Sequence, residues 1–246
     1  MKIVAIIQAR TGSNRLPGKV LLPLCGSTVL GQVASRVKSS TQLDAVWIAT
    51  TTDLGDDAVQ AEATRLGLPC FRGSVEDVLG RYHDSAVAAA ADAVVRVTSD
   101  CPLFDSALLN QMLVEFRAEI GAGKSIDYMS NVIERTYPRG LDAEIFTMAA
   151  LDRAWREATR NHDREHVTPY FYTNPERFKL RSYRGQQNRS QHRWTLDTTA
   201  DWDFVQAVYA QLFRLNQPFG TDDVLALLAR KPEIMALNAH IEQKKS

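Results

Sequence analysis

The densest chemistry in this chain lies in residues 8–19, Gln8-Ala9-Arg10-Thr11-Gly12-Ser13-Asn14-Arg15-Leu16-Pro17-Gly18-Lys19. Arg10, Arg15 and Lys19 supply cations, Thr11 and Ser13 small hydroxyls, and Gly12 and Gly18 backbone that a ligand can approach closely. A triphosphate asks for that combination, because amides must come near its oxygens and cations must offset about four negative charges. Arginine engages phosphate oxygens as a two-pronged fork, whereas lysine acts as a mobile point charge. The plain alternative is a solvated basic surface loop. Against it stands the position directly behind a buried strand, where α/β sheets gather phosphate. The string is neither G-x-x-x-x-G-K-[ST] nor G-x-G-x-x-G, so the two familiar phosphate fingerprints do not apply.

The elements that must position this loop follow from apolar periodicity. Residues 2–7 are a continuous apolar run, the pattern of a strand buried on both faces. Ser27 is expected to cap a helix carrying Leu30, Val33, Ala34 and Val37. Further strands are expected at 45–50, 68–72 and 93–98, with helices at 58–66 and after Ser74, where Asp77 completes an approximate capping box. Strands alternating with helices predict a mostly parallel sheet with right-handed crossovers. The loops after Ile7, Cys70 and Thr98 should then converge at the carboxyl ends of the strands. In the second half, strands are expected at 127–131 and 143–146 around a turn at Tyr137-Pro138-Arg139-Gly140, with another at 178–183. Helix 151–159 and a strand at 193–197 leading into helix 200–215 complete the reading. The whole chain reads as one domain, with residues 125–190 as a smaller lobe marked at its start by Gly121-Ala122-Gly123-Lys124.

Bulk composition sets the class. The 246 residues are 45% hydrophobic and carry 29 basic and 29 acidic side chains. Zero net charge argues against bulk attraction to nucleic acid or membrane and still permits a local basic cleft. The N-terminal apolar run is too short to span a bilayer and lacks a signal-peptide pattern. Cys25, Cys70 and Cys101 are odd in number and without C-x-x-C spacing, which suits reduced thiols in the cytoplasm.

Residues 8–19 resemble the A-R-x-x-S-x-R-L-P-G-K signature of the Kdo and acylneuraminate cytidylyltransferases, in the branch linked to spore-coat polysaccharide biosynthesis. The resemblance continues in order through Phe71-Arg72-Gly73-Ser74-Val75-Glu76-Asp77, Thr98-Ser99-Asp100-Cys101-Pro102-Leu103, Tyr137-Pro138-Arg139-Gly140-Leu141-Asp142, Arg164-Glu165-His166-Val167-Thr168-Pro169-Tyr170 and Arg193-Trp194-Thr195-Leu196-Asp197. Ser27 departs from it, since many relatives carry lysine there and a second phosphate contact is then missing or replaced.

The resemblance implies a Rossmann-like sheet flanked by helices, of the nucleotide-diphospho-sugar transferase type, with a smaller inserted β-containing lobe. It also implies Mg²⁺-dependent transfer of CMP from CTP to an acidic sugar, with pyrophosphate released, in a homodimer. Ala9, Arg10, Ser13, Arg15 and Lys19 would hold the nucleotide, with Arg72, Gly73 and Ser74 at the base. Asp100 and Asp197 would bind the metal, and Arg10, Lys19 and Asp100 would carry the catalysis. Two carboxylates suit Mg²⁺, which fills its remaining positions with water and phosphate oxygen. Asp197 has a second reading as a helix N-terminal acid, and Ser74 as a helix cap. Tyr137, Arg139, Asp142, Glu144, Arg164 and His166 are the acceptor-site candidates, where Arg139 or Arg164 could clamp a carboxylate.

Two other functions compete with this reading. A glycosyltransferase using a nucleotide sugar would carry D-x-D at a strand end, and Ser99-Asp100-Cys101-Pro102 does not. A catalytically inactive nucleotide-binding protein sits poorly with intact Lys19, Asp100 and Asp197. His162-Asp163-Arg164-Glu165-His166 matches the H-x-x-E-H pattern of a zinc peptidase, but Pro169 follows closely and nothing else supports that chemistry. Residues 231–246 read as a solvated terminus.

Overall fold

The first strand shows how the sequence builds two cores at once. In the computed structural model, which describes residues 1–242, β1 (Ile3–Gln8) lies between two parallel neighbours, β4 (Ala45–Thr51) and β6 (Ala93–Thr98). Ile3, Ala5 and Ile7 face one hydrophobic cluster, while Val4 and Ile6 face another. The period of two splits an unbroken apolar run between the faces of the sheet. Burying each of the larger side chains stabilises by roughly 1.5–3 kcal/mol, so the strand cannot be moved without losing both cores.

Seven strands make the sheet, in the order β5-β4-β1-β6-β8-β7-β9. β5 (Cys70–Gly73) pairs parallel with β4. β8 (Glu144–Thr147) runs antiparallel to both β6 and β7 (Tyr128–Ser130), and β9 (Leu180–Ser182) closes the edge parallel to β7. Two short strands, β2 (Pro23–Leu24) and β3 (Ser27–Thr28), form a separate hairpin. Residues 125–190 therefore add strands to the same sheet and cover its end with α5 (Met148–Glu157), α6 (Asn161–His166) and α7 (Pro169–Tyr172). β1 and β6 end in register at Gln8 and Thr98, which brings the loops behind them together.

Helix starts differ from expectation in two places. α1 (Val29–Lys38) is capped by Thr28 rather than Ser27, with the Thr28 hydroxyl accepting from the Gly31 amide at 2.9 Å. Ser27 instead sits in the hairpin with its hydroxyl against Gly31. α3 (Val78–Ala88) is capped by Asp77, which accepts from the Gly80 amide at 2.8 Å, while Ser74 shapes the preceding turn by accepting from the Asp77 amide at 3.0 Å. The helix at 58–66 is α2 (Asp57–Arg65). α4 (Ser106–Gly121) is absent from the sequence reading, although Leu108, Leu109, Met112, Leu113 and Phe116 have helical spacing and are buried.

The C-terminal part departs most. Residues 193–197 form no strand, only an isolated bridge between Arg193 and Arg139. Their amides reach across to two loops, Trp194 to the Arg139 carbonyl at 2.7 Å and Leu196 to the Asp100 carbonyl at 2.8 Å. Gly140 permits this crossing, since it has φ +100° and a Cβ there would lie 2.6 Å from the Trp194 carbonyl carbon. α8 (Thr199–Leu212) follows, then α9 (Thr221–Arg230) and α10 (Pro232–Ala236). The expected solvated tail thus carries a short helix with Ile234 and Asn238 buried, and its last four residues lie outside the described part.

Candidate active site

The loop behind β1 is held in shape by its own backbone and by one aspartate. The Ser13 and Gly18 amides both donate to the Thr11 carbonyl, at 2.8 and 3.0 Å. Thr11 is fixed in turn by Asp56, which accepts from its amide at 2.7 Å and its hydroxyl at 2.8 Å and also takes the Thr51 hydroxyl. Burial pushes the Asp56 carboxyl up, but these donors outweigh it and hold its pKa below the ordinary value. The loop lines a cleft of about 320 Å³ with Ala9, Arg10, Ser13, Arg15 and Lys19. α3 adds Val78 and Arg81, β6 and its end add Arg96, Thr98 and Asp100, and α6 adds Glu165 and His166. Buried Gln8 Oε1, Arg81 Nε and Arg96 Nε, all in residues lining this cleft, have no hydrogen-bond partner among the described residues. Such atoms are costly unless a ligand or water meets them.

Three charged residues meet at the mouth of β6. Lys19 Nζ lies 3.1 Å from Asp100 Oδ2 and 2.8 Å from Asp197 Oδ1, and donates to the Leu196 carbonyl at 2.7 Å. Burial works against the Lys19 charge, yet Asp100 and Asp197 prevail and its pKa stands above the ordinary value. Burial likewise opposes the Asp100 charge, and Lys19 with the Thr98 hydroxyl overcomes it, so this carboxyl titrates below its ordinary value. Asp197 Oδ2 also receives Arg15 at 3.2 Å and Arg193 at 3.1 Å. Among the described residues no group of three or more His, Cys, Asp or Glu is placed to hold a metal. Two carboxylates that already share one cation nevertheless fit Mg²⁺, which needs only one or two from the protein when phosphate supplies the rest.

A second pocket of about 180 Å³ adjoins the cleft and shares Arg96 and His166 with it. Arg135 grips Asp142 with two bonds of 2.6 and 2.8 Å. Arg96 pairs with Glu144 across β6 and β8, and the Tyr128 hydroxyl donates to Glu144 at 2.5 Å. His162, His166 and Tyr172 complete this wall. Burial lowers the His166 pKa, partly countered by Glu165, which favours a neutral imidazole.

Of the expected acceptor residues, Asp142, Glu144 and His166 are brought together here. Tyr137 lies elsewhere, stacked on Tyr183 in a cleft with Asp105 and Gln111. Arg164 is occupied by Asp77 and by the Trp155 carbonyl at 2.6 Å. Arg139 stands beside Arg135, Asp142 and Arg193 without an ion pair of its own among the described residues, and burial with the neighbouring arginines lowers its pKa. Nor does Arg72 line the cleft behind β1. Its guanidinium bonds the Thr51 and Asp53 carbonyls, Asp57 and Gln60, tying β5 to the start of α2. Gly73 packs against the Arg81 stem, and Ser74 offers its carbonyl to Arg81 at a distance typical of a short bond, so neither is among the cleft-lining residues.

Arg81, Arg96, Arg135 and Arg193 are site residues the sequence reading missed. Arg96 had a signal, being the one charge inside the apolar strand 93–97, and a charge there requires a partner. The others had none, since they meet their partners across short turns whose geometry the sequence does not show.

Comparison with known proteins agrees with this geometry. A family model described as cytidylyltransferase matches residues 4–220. An uncharacterized protein of Methanocaldococcus jannaschii is 36% identical over 99% of this chain and 97% of its own length. The spore coat polysaccharide biosynthesis protein SpsF of Bacillus subtilis is 31% identical over 94% of this chain and 95% of its own. A solved cytidylyltransferase from Leptospira borgpetersenii superposes with TM-score 0.90 at 34% identity, covering all of both chains. With a family model matched over residues 4–220 and a solved member superposing along the whole chain, this protein belongs to the cytidylyltransferase family.

Proposed function

We propose that this nucleotidyltransferase joins CMP from CTP to the anomeric hydroxyl of an acidic sugar, releasing pyrophosphate, with Mg²⁺ at Asp100 and Asp197. The observation that carries the reading is the Lys19 ammonium between those two carboxylates, at 3.1 and 2.8 Å, directly under the basic loop. A cation-binding point beside a triphosphate-sized cleft is what in-line phosphoryl transfer needs. The acceptor hydroxyl oxygen forms a bond to the α-phosphorus as the bond to the pyrophosphate oxygen breaks. Mg²⁺ supplies charge neutralisation and Lewis acidity to the phosphate oxygens. Arg10, Ser13, Arg15 and Lys19 orient the triphosphate, and Arg81, lacking a carboxylate partner, deepens the positive field.

The adjoining pocket suits the acceptor. Asp142 and Glu144, themselves braced by Arg135 and Arg96, can accept from sugar hydroxyls, and neutral His166 at the shared wall can take the proton of the attacking hydroxyl. An anionic group on the sugar would relieve the crowding of Arg139 by Arg135 and Arg193, which favours Arg139 over the occupied Arg164 as its seat. A 3-deoxy-manno-octulosonate cytidylyltransferase of Geobacter metallireducens, 30% identical over 61% of this chain and 63% of its own, acts on an acid of that kind. The two-chain assembly and residues 125–190 as an acceptor lobe belong to the same proposal.

Pyrophosphate release should be measured with CTP, UTP, GTP and ATP against 3-deoxy-manno-octulosonate and nonulosonic acids, with and without Mg²⁺. Release that needs CTP, Mg²⁺ and an acidic sugar supports the proposal. Turnover with a neutral sugar only, or with CTP no better than the other nucleotides, removes it.

A further inference from the structure

Asp100 and Asp197 reach the same ammonium from unlike supports. Asp100 follows directly on β6, whose backbone is paired on both sides. Asp197 ends a segment that belongs to no strand; backbone bonds anchor it as far as Leu196, and at Asp197 side chains take over. The central one is Asp201 in the first turn of α8, fully buried. Its Oδ2 accepts from the Asp197 amide, the Thr198 amide and the Thr198 hydroxyl, each at 3.0 Å, and from Arg193 Nη2 at 2.8 Å. Its Oδ1 accepts from Arg193 Nε at 2.8 Å and from Asn238 Nδ2 at 3.0 Å. The Arg193 guanidinium spans both carboxylates, reaching Asp197 Oδ2 at 3.1 Å. Asn238 closes the ring by donating to the Arg193 carbonyl as well, at 3.0 Å.

We infer that Asn238 is a positioning residue for Asp197, acting through Asp201 and Arg193, so that the C-terminal segment is a working part of the nucleotidyl-transfer site. Asn238 lies beyond the stretch matched by the family model, which ends at residue 220, and is 3% exposed. One amide group ties the side chain that holds the Asp197 backbone to the backbone of the residue that holds the Asp197 carboxylate. Removing it frees Asp201 to rotate and Arg193 to shift, and the Asp197 oxygens then leave the point they share with Asp100. Supports of this kind set the orientation, and hence the affinity, of the groups that bind a cation. The inference rests on Asp197 being a cation-binding carboxylate.

The test compares Asn238→Leu, of similar volume and without the amide, with Ile234→Ala, which loosens the packing of the short helix just before Asn238 and leaves the ring intact. Hydrogen exchange at the Asp197 and Thr198 amides needs no ligand. It should accelerate in Asn238→Leu and stay at the wild-type rate in Ile234→Ala. Mn²⁺ binding with a non-hydrolysable methylene analogue of CTP, followed by electron paramagnetic resonance, should weaken about ten-fold in Asn238→Leu. It should stay within about two-fold of wild type in Ile234→Ala, which shares no partner with the ring. Wild-type exchange at both amides in Asn238→Leu, or equal Mn²⁺ losses in the two variants, overturns the inference. A wild-type protein that binds no Mn²⁺ with the analogue overturns the cation reading instead, and the exchange rates tell that failure apart from failure of the ring.

Discussion

The loop behind β1 and the segment before α8 both deliver charged groups to one point, and they are built by different physics. Residues 8–19 leave a strand that is hydrogen-bonded on both edges and buried on both faces. Asp56 is the one side chain from outside the loop that pins Thr11. Residues 193–196 are anchored by backbone bonds to the Arg139 and Asp100 carbonyls, but Asp197 depends on Asp201, Arg193 and Asn238 for its place. A backbone-built support tolerates side-chain changes because its ladder bonds remain. A side-chain-built support fails when one member is removed, because a buried charge is then left unpaired.

Substitutions can break or sharpen that contrast. The largest expected effect is at Asp100, where Asp100→Ala should lower turnover by about a thousand-fold, comparable to removing a key electrostatic group in other transfer sites. Circular dichroism should stay near wild type, since the β6 ladder does not depend on the carboxylate, and the melting temperature should fall only slightly, because Lys19 keeps Asp197 as a partner. Normal turnover in this variant would remove Asp100 from the mechanism. Asp201→Ala tests the other region, and loss of a fully buried ion-pair partner should destabilise by about 3 kcal/mol. Urea unfolding of this variant against Asp100→Ala measures the contrast directly; equal midpoints would erase it.

Lys19→Ala should reduce kcat/KM for CTP by about a hundred-fold while weakening CMP binding much less, because the ammonium addresses the triphosphate. Equal losses for CTP and CMP, by isothermal titration, would refute that role. A smaller effect separates two neighbouring hydroxyls. Thr28→Ala should cost about 1 kcal/mol as a lost helix cap, and Ser27→Ala a few tenths at most.

The folded-state pKa of Asp100 lies below its ordinary value because Lys19 and Thr98 outweigh burial. Its contribution to stability is therefore complete above the unfolded carboxylate pKa of about 3.9 and is lost as pH falls through the lower folded value. Asp100→Asn should accordingly flatten the acid limb of the urea midpoint between neutral pH and pH 3. An unchanged acid limb would show that other carboxylates set it.

By itself the sequence determined the first half of the sheet, the basic loop and the place of Asp100. Those features are local, since an apolar run of period two followed by glycines and cations needs no distant partner to be read. It also carried the family, and with it both aspartates. What only the tertiary structure decided is which side chains meet. Arg72 and Arg164 have the charge for a ligand and are occupied by Asp57 and Asp77. Arg96 and Arg135 lie in no motif that was read as acceptor chemistry, and β8 and the turn before it bring them to Glu144 and Asp142. Asp197 was legible as a residue and not as a position, because its placement comes from Asp201, four residues on, and Asn238, forty-one residues on. The Thr198–Asp201 capping box is a local pattern, whereas the bonds of Asn238 depend on how helices pack, and no spacing rule in a single sequence encodes them.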